Sequence, residues 1–251
     1  MKISKYSASG NDFVIFSSEI KKDRTELTKE LCHRQDGIGA DGLIVVVPNE
    51  KYDFEWEFYN SDGSRADMCG NGSRACAHFA FNQGFTKEKM SFLTGAGVIN
   101  AEVSENSETS GMILSELTPP VMIDETIEHN GRSWWLLNTG VPHMVCITDN
   151  VETFDLKEAS ELRYKYNANI NICAVDGENL RVRTYERGVE DETLACGTGM
   201  AACFYRAFKE GKVSKSIEVY PTSGETLYLG VNERTITFKG RVKRTFVTEW
   251  E

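Results

Sequence analysis

The chain has 251 residues, 40% of them hydrophobic and 26% charged, with a formal net charge of −10. That length buries one large core or two ordinary ones, and the composition excludes a disordered or fibrous chain. The acidic balance argues against a nucleic-acid partner, because binding a phosphate backbone needs clustered Lys and Arg to release counterions. Met1 to Tyr6 has no apolar signal region and no run of about 18 apolar residues occurs. No membrane association is therefore expected, and the cytoplasm is the expected address. Seven cysteines without tight CxxC pairing point away from a disulfide framework.

In chain order, residues 3 to 17 read as strand, turn, strand around Ser9-Gly10-Asn11-Asp12. A helix with Thr25 as cap follows to His33, spaced by Leu27 and Leu31. Gly37-Ile38-Gly39-Ala40-Asp41-Gly42 has the letters of a dinucleotide fingerprint in the wrong order: a helix precedes it and the strand Leu43 to Val47 follows, so it reads as a tight loop and no NAD site. The strand Asp53 to Tyr59 alternates aromatic and acidic residues, predicting one buried and one wet face. A helix stopping at Gly84 comes next, then short strands over 90 to 117 and a Pro119-Pro120 linker. The second half opens with a hairpin at Asn130-Gly131. Strand Met144 to Ile147, helix Leu156 to Tyr164, strands Ile170 to Val175 and Leu180 to Glu186, a second helix and closing strands after Lys215 echo the first half.

One stretch occurs twice, half a chain length apart: Met68-Cys69-Gly70-Asn71-Gly72 and Ala195-Cys196-Gly197-Thr198-Gly199. Each follows a strand and opens about a dozen helix-compatible residues, so two similar lobes each present a cysteine at a helix start. Helix starts carry unpaired N–H groups and partial positive charge, which bind carboxylates and stabilise thiolates. The following glycines leave the backbone open to a ligand. Two thiols flanking one substrate, with its carboxylate on both helix starts, is the arrangement that inverting an amino-acid α-carbon requires. Cys32, Cys146 and Cys173 read as small buried hydrophobes, and Cys76 and Cys203, two helical turns on, as core-facing. Zinc fits less well, because the cysteine spacing is wider than that of metal knuckles; thiol redox sensing is a further alternative.

Together and in this order, Gly10-Asn11-Asp12-Phe13, Gly37-Ile38-Gly39-Ala40-Asp41, Asn60-Ser61-Asp62-Gly63-Ser64, Pro142-His143, Asn169-Ile170-Asn171, Glu186-Arg187-Gly188 and the two cysteine stretches resemble the diaminopimelate epimerase family. The resemblance implies an α/β (α+β) fold of two pseudo-symmetric lobes, 1–117 and 118–242, each a curved, mostly antiparallel sheet wrapped around a central helix. The C-terminal strand, 243–251, would return to the first lobe, and the active site would lie between the lobes. It implies Cys69 and Cys196 as acid and base, with no cofactor and no metal. Backbone N–H groups of Gly70, Asn71, Gly197 and Thr198 would hold the reacting carboxylate. Asn11, Asn60, Asn169 and Arg187 would orient diaminopimelate, Glu186 would meet an ammonium, and His143 and Glu186 would tune the thiols. A homodimer is implied by the resemblance alone. Local sequence by itself makes Asn11 an ordinary turn residue and His143 a satisfied loop histidine. The chain departs from the family at Val141 and Gly42, where an asparagine and a glutamine are usual, and by one extra residue between Glu186 and Cys196. A proline-racemase-type enzyme and a non-catalytic amino-acid-binding module are the competing expectations.

Overall fold

Among the residues described by the computed structural model, 1–232 and 235–251, the chain forms sixteen strands and four α-helices. They fall into two units, Met1–Glu116 with Lys239–Glu251, and Leu117–Phe238. In the first, β1 (Lys2–Ala8) and β2 (Asn11–Ser17) form a hairpin turning at Ser9 and Gly10, with φ of 52° and 84°. Both turn residues are left-handed, which matches the twist of the flanking strands. Helix α1 (Thr25–Cys32) leads to β3 (Gly42–Val47), parallel to β2, and β4 (Phe54–Asn60) returns antiparallel. Helix α2 (Gly70–Asn82) leads to β5 (Lys89–Thr94), parallel to β4, followed by the antiparallel β6 (Gly97–Asn106) and β7 (Ser110–Glu116).

The last strand of the chain closes this sheet. Its C-terminal stretch pairs antiparallel with β1, from Lys2↔Glu249 to Ala8↔Val242. On its other side, Arg244 N–H donates to the Thr109 carbonyl at 2.8 Å and Ser110 Oγ to the Val242 carbonyl at 3.0 Å. The sheet therefore wraps α2, whose Ala75, Cys76, Phe79 and Ala80 share a core with Tyr6, Phe13, Ile44, Phe92, Ile113 and Val242. Small side chains on α2 let the strands approach from all sides. Alternation puts Val14, Leu43 and Val45 on the opposite face, against Leu31 and Cys32 of α1, so β3 is buried on both faces.

The second unit repeats the plan. Its hairpin joins β8 (Val121–His129) to β9 (Arg132–Asn138) through Asn130 and Gly131, with φ of 49° and 69°. Strand β10 (Pro142–Ile147) lies antiparallel to β9; α3 (Leu156–Tyr166) leads to β11 (Asn169–Asp176), parallel to β10; and β12 (Asn179–Glu186) returns antiparallel. The short β13 (Asp191–Thr193) pairs with β12, and α4 (Gly197–Lys209) leads to β14 (Ser216–Tyr220), parallel to β12. Strands β15 (Leu227–Asn232) and β16 (Thr235–Glu249) complete the chain. Helix α4 packs on β9 to β12, with Met200, Ala201, Cys203, Phe204 and Ala207 fully buried. In each unit one helix links a parallel pair at one edge of an antiparallel pair, and the central helix links a second at the other.

Two local expectations change. Thr25 does not cap α1: Arg24 holds the N-cap position, and Asp23 Oδ1 accepts the Thr25 N–H at 2.9 Å instead. The acidic face of β4 is not wet, because Glu57, 7% exposed, is covered by Arg24, whose Nε lies 3.5 Å from its carboxylate.

Candidate active site

Both repeated cysteines are helix N-caps. Cys69 precedes α2 with φ −147° and ψ 117°, and Cys196 precedes α4 with φ −114° and ψ 108°. Their carbonyls already accept the first helical bonds, from Ser73 N–H at 2.8 Å and Met200 N–H at 2.9 Å, as N-cap geometry requires. The N–H groups of Gly70, Asn71, Gly197 and Thr198 thus fall in first turns, where backbone donors lack helical acceptors and anions are favoured. The two sulfurs differ. Cys69 Sγ, half-buried, accepts the Gly72 N–H at 3.3 Å, whereas Cys196 Sγ makes no capping bond and sits 3.6 Å from the Thr198 hydroxyl.

Gly197 and Gly199 also serve the protein's own packing. A Cβ at Gly197 would come 2.9 Å from the Phe238 ring, and one at Gly199 would come 2.3 Å from Asn171 Oδ1 and 3.1 Å from Thr184 Oγ1. Gly72 is packed less tightly, 3.3 Å from Ile44 Cδ1 and from Cys69 Cβ. At Gly42 a Cβ would meet the Tyr59 carbonyl at 2.7 Å and Phe58 at 2.8 Å, so Phe58 fills the space a longer side chain would need.

Around Cys69 a polar chain runs through the first unit. Asn71 Nδ2 donates to Asn11 Oδ1 at 2.7 Å, and Asn11 Nδ2 donates to Asp41 Oδ2 at 3.1 Å. Arg74, fully buried, donates from Nη2 to Asn71 Oδ1 at 2.6 Å and to Ser9 Oγ at 2.8 Å. Among the described residues no acceptor takes the second N–H of the Asn11 amide. Asp41 and Arg74 were not singled out from sequence; their signal, a carboxylate beside a glycine turn and an arginine inside an apolar helix, is only local oddity. Asp12 joins the same corner: burial pushes its carboxyl up, but hydrogen bonds and ion pairs with Arg34 and Lys5 outweigh this and hold it below the usual carboxylate range. Asn60 stands apart from this chain, exposed at the end of β4 and donating to Ser64 Oγ at 3.0 Å.

Around Cys196, Asn169 starts β11 and accepts the Arg187 N–H through Oδ1 at 2.7 Å. Arg187 follows Glu186, the last residue of β12, and its guanidinium donates from Nη1 to the Asn167 carbonyl at 3.2 Å, at the C-cap of α3. Helix C-termini attract cations, so this seat holds the guanidinium. His143 is fully buried, with Nε2 2.9 Å from Thr198 Oγ1. Burial chiefly pushes this histidine down to about 3; the Asn171 side chain acts upward and the charge of Arg187 downward, and burial is the largest of the three. It is therefore a neutral imidazole at physiological pH, reaching Cys196 through Thr198.

The remaining cysteines are buried. Burial pushes the Cys32 thiol up to about 12 and that of Cys146 to about 11, and raises Cys76 and Cys203 above the ordinary range, which leaves these four protonated and inert. A surface cavity of about 340 Å³ in the first unit, lined by Trp56, Tyr59, Arg65 and Asp67 among others, contains none of the expected site residues. Among the described residues no cluster of three or more His, Cys, Asp or Glu is placed to hold a metal ion, and no helix is long and apolar enough to cross a membrane.

Comparison with known proteins follows the same lines. The family described as diaminopimelate epimerase matches residues 3–123 and 135–244. A diaminopimelate epimerase from a Nitratiruptor species is 57% identical over 249 residues, covering 99% of this chain and 98% of its own. One from Campylobacter lari is 53% identical, covering 100% and 99%. The crystal structure of a hydroxyproline epimerase from Agrobacterium vitis shares the fold at a TM-score of 0.76 and 14% identity, covering 99% of this chain and 90% of that one. The chain belongs to the diaminopimelate epimerase family.

Proposed function

We propose that the chain interconverts L,L- and meso-diaminopimelate, in lysine and peptidoglycan-precursor synthesis, by exchanging the α-proton between Cys69 and Cys196. The observation that carries this reading is that both cysteines cap the central helix of their unit. One sulfur, as thiolate, removes the α-proton; the other, as thiol, returns a proton to the opposite face. The α-hydrogen is a very weak acid, so charge developing on the substrate carboxylate needs stabilisation. The N–H groups of Gly70, Asn71, Gly197 and Thr198 and the positive ends of α2 and α4 supply it. Asn11, Asn60 and Asn169 orient the substrate, Arg187 takes the distal carboxylate bidentately, and Glu186 meets an ammonium. The same reading makes the protein a cytoplasmic homodimer, which sedimentation would check.

The test is incubation with L,L-diaminopimelate in D₂O under reducing conditions. Deuterium is expected at one stereocentre, with epimerisation abolished in Cys69→Ala and in Cys196→Ala. Exchange of proline instead would favour the racemase reading, which the fold alone supports and which leaves Arg187 without a ligand. Ligand binding with no exchange would leave only the binding module.

A further inference from the structure

Asn171 lies on β11, fully buried, two residues from Asn169 and so on the same face of the strand. Its Nδ2 faces the Met144 and Asn169 carbonyls at 3.1 and 3.2 Å and the Nδ1 of His143 at 3.1 Å. Its Oδ1 accepts the Thr184 hydroxyl at 2.9 Å. Carbonyl oxygens only accept, so the amide cannot be turned over; its two hydrogens face three acceptors, and the side it turns to the imidazole is the NH₂, against which a hydrogen on Nδ1 would clash. Nδ1 must then be a lone pair, and a neutral imidazole with an accepting Nδ1 carries its hydrogen on Nε2. On the Nε2 side the Asn169 amide also presents its NH₂, at 3.4 Å, because its oxygen is taken by Arg187. An imidazolium would therefore point a hydrogen at an amide NH₂ on both sides. Nε2–H is left to donate to Thr198 Oγ1 at 2.9 Å. A hydroxyl has one hydrogen, and with its oxygen receiving from His143 that hydrogen is available to Cys196 Sγ, 3.6 Å away.

We propose that Asn171 is a positioning residue for the epimerisation: it locks His143 in the Nε2–H tautomer, which makes the Thr198 hydroxyl a donor to the Cys196 sulfur. This rests on the epimerase reading above. No proton leaves His143; the chain of bonds fixes directions only. Each sulfur thereby faces a donor, Cys69 the Gly72 backbone at 3.3 Å and Cys196 this relay, and each thiolate is stabilised where it must act as base. The arrangement also accounts for Gly199, since any Cβ there would displace Asn171 Oδ1.

Nitrogen-15 NMR reads the tautomer of the four histidine rings, with His143→Gln assigning the signal. At neutral pH the His143 ring is expected to be neutral with its hydrogen on Nε2. Asn171→Asp keeps the shape and replaces the donor by an acceptor. It should move the hydrogen to Nδ1 or charge the ring, and lower kcat about 10²-fold with KM changed less than about threefold. Thr198→Val should lose kcat by a similar factor, Thr198→Ser should restore most of it, and the Asn171→Asp/Thr198→Val double variant should lose no more than the worse single one. Additive losses, an unchanged kcat, or a lost kcat with the tautomer unchanged would each overturn the proposal. If Asn171→Asp does not fold, the wild-type spectrum still decides, because a hydrogen on Nδ1 or a charged ring overturns it. The tautomer is read without turnover, so a wild-type protein that binds diaminopimelate but does not exchange it sinks the epimerase reading separately.

Discussion

His143 ties the chemistry of the site to the stability of the fold. In the folded chain it is held neutral down to about 3, whereas an unfolded chain titrates it near its ordinary value of about 6.5. Below that value the unfolded state binds a proton that the folded state refuses. Stability is thus lost as pH falls through the window between the two values, by at most about 1.4 kcal/mol per pH unit. Urea midpoints measured between about pH 7 and 5 are expected to fall more steeply for wild type than for His143→Gln. Parallel slopes would show that the buried ring does not resist protonation. His78, also pushed down by burial, and Asp12, held down by Arg34 and Lys5 against its own burial, add acid sensitivity to both proteins, so the difference isolates His143.

The helices begin with two different devices, and variants separate them. Helix α3 uses a side-chain cap, the Asp155 carboxylate accepting Lys157 N–H at 2.9 Å and Glu158 N–H at 3.3 Å. Asp155→Ala is expected to cost about 1 kcal/mol in thermal unfolding and to leave turnover unchanged. Helix α4 has a cysteine at the cap and is pressed against β11 and β12 through Gly199. Gly199→Ala would push a Cβ into Asn171 and Thr184, at 2.3 and 3.1 Å, both already bonded to each other. Overpacking of this kind costs about 1–3 kcal/mol, and displacing the Asn171 amide should lower kcat at least tenfold, by roughly the smaller end of a general acid–base contribution. A Gly199→Ala protein with wild-type melting temperature and turnover would refute the packing account. Gly72→Ala, with its nearest neighbours at 3.3 Å, should be milder on both measures.

At the scale of the molecule, the strand that ends the chain completes the fold of the part that begins it. Residues from Lys239 onward belong to the first unit and pair with β1 along its length, with one bulge between Lys5 and Tyr6. Removing residues 239–251 would expose the backbone edges of β1 and β7 together and uncover Tyr6 and Ile113 in the core around α2. Unpaired apolar edges aggregate. The truncated chain is expected to be recovered as aggregate or to lose hydrogen-exchange protection across β1 and β7. A soluble product with β1 still protected would show that the closure is dispensable. Any role of Cys69 depends on this closure, because α2 is held by the sheet that β16 seals.

Much of this is legible in the sequence. The two hairpin turns, the helix stops and the duplicated helix starts are written in residues a few positions apart, where glycine, asparagine and side-chain period act through local backbone sterics. The motifs, in their order, pointed to the family, and comparison with known proteins places the chain there. Other features depend on register. Glu57 is buried because Arg24 crosses it, Thr25 yields its cap to a neighbour, and Asp41 meets Asn11 because β2 and β3 lie side by side. Asn171 faces His143 because β10 and β11 run parallel, with His143 opposite Asn169. No pattern within either strand encodes that offset; it is set when both strands pack against α4, and only the tertiary structure brings those amides to the ring.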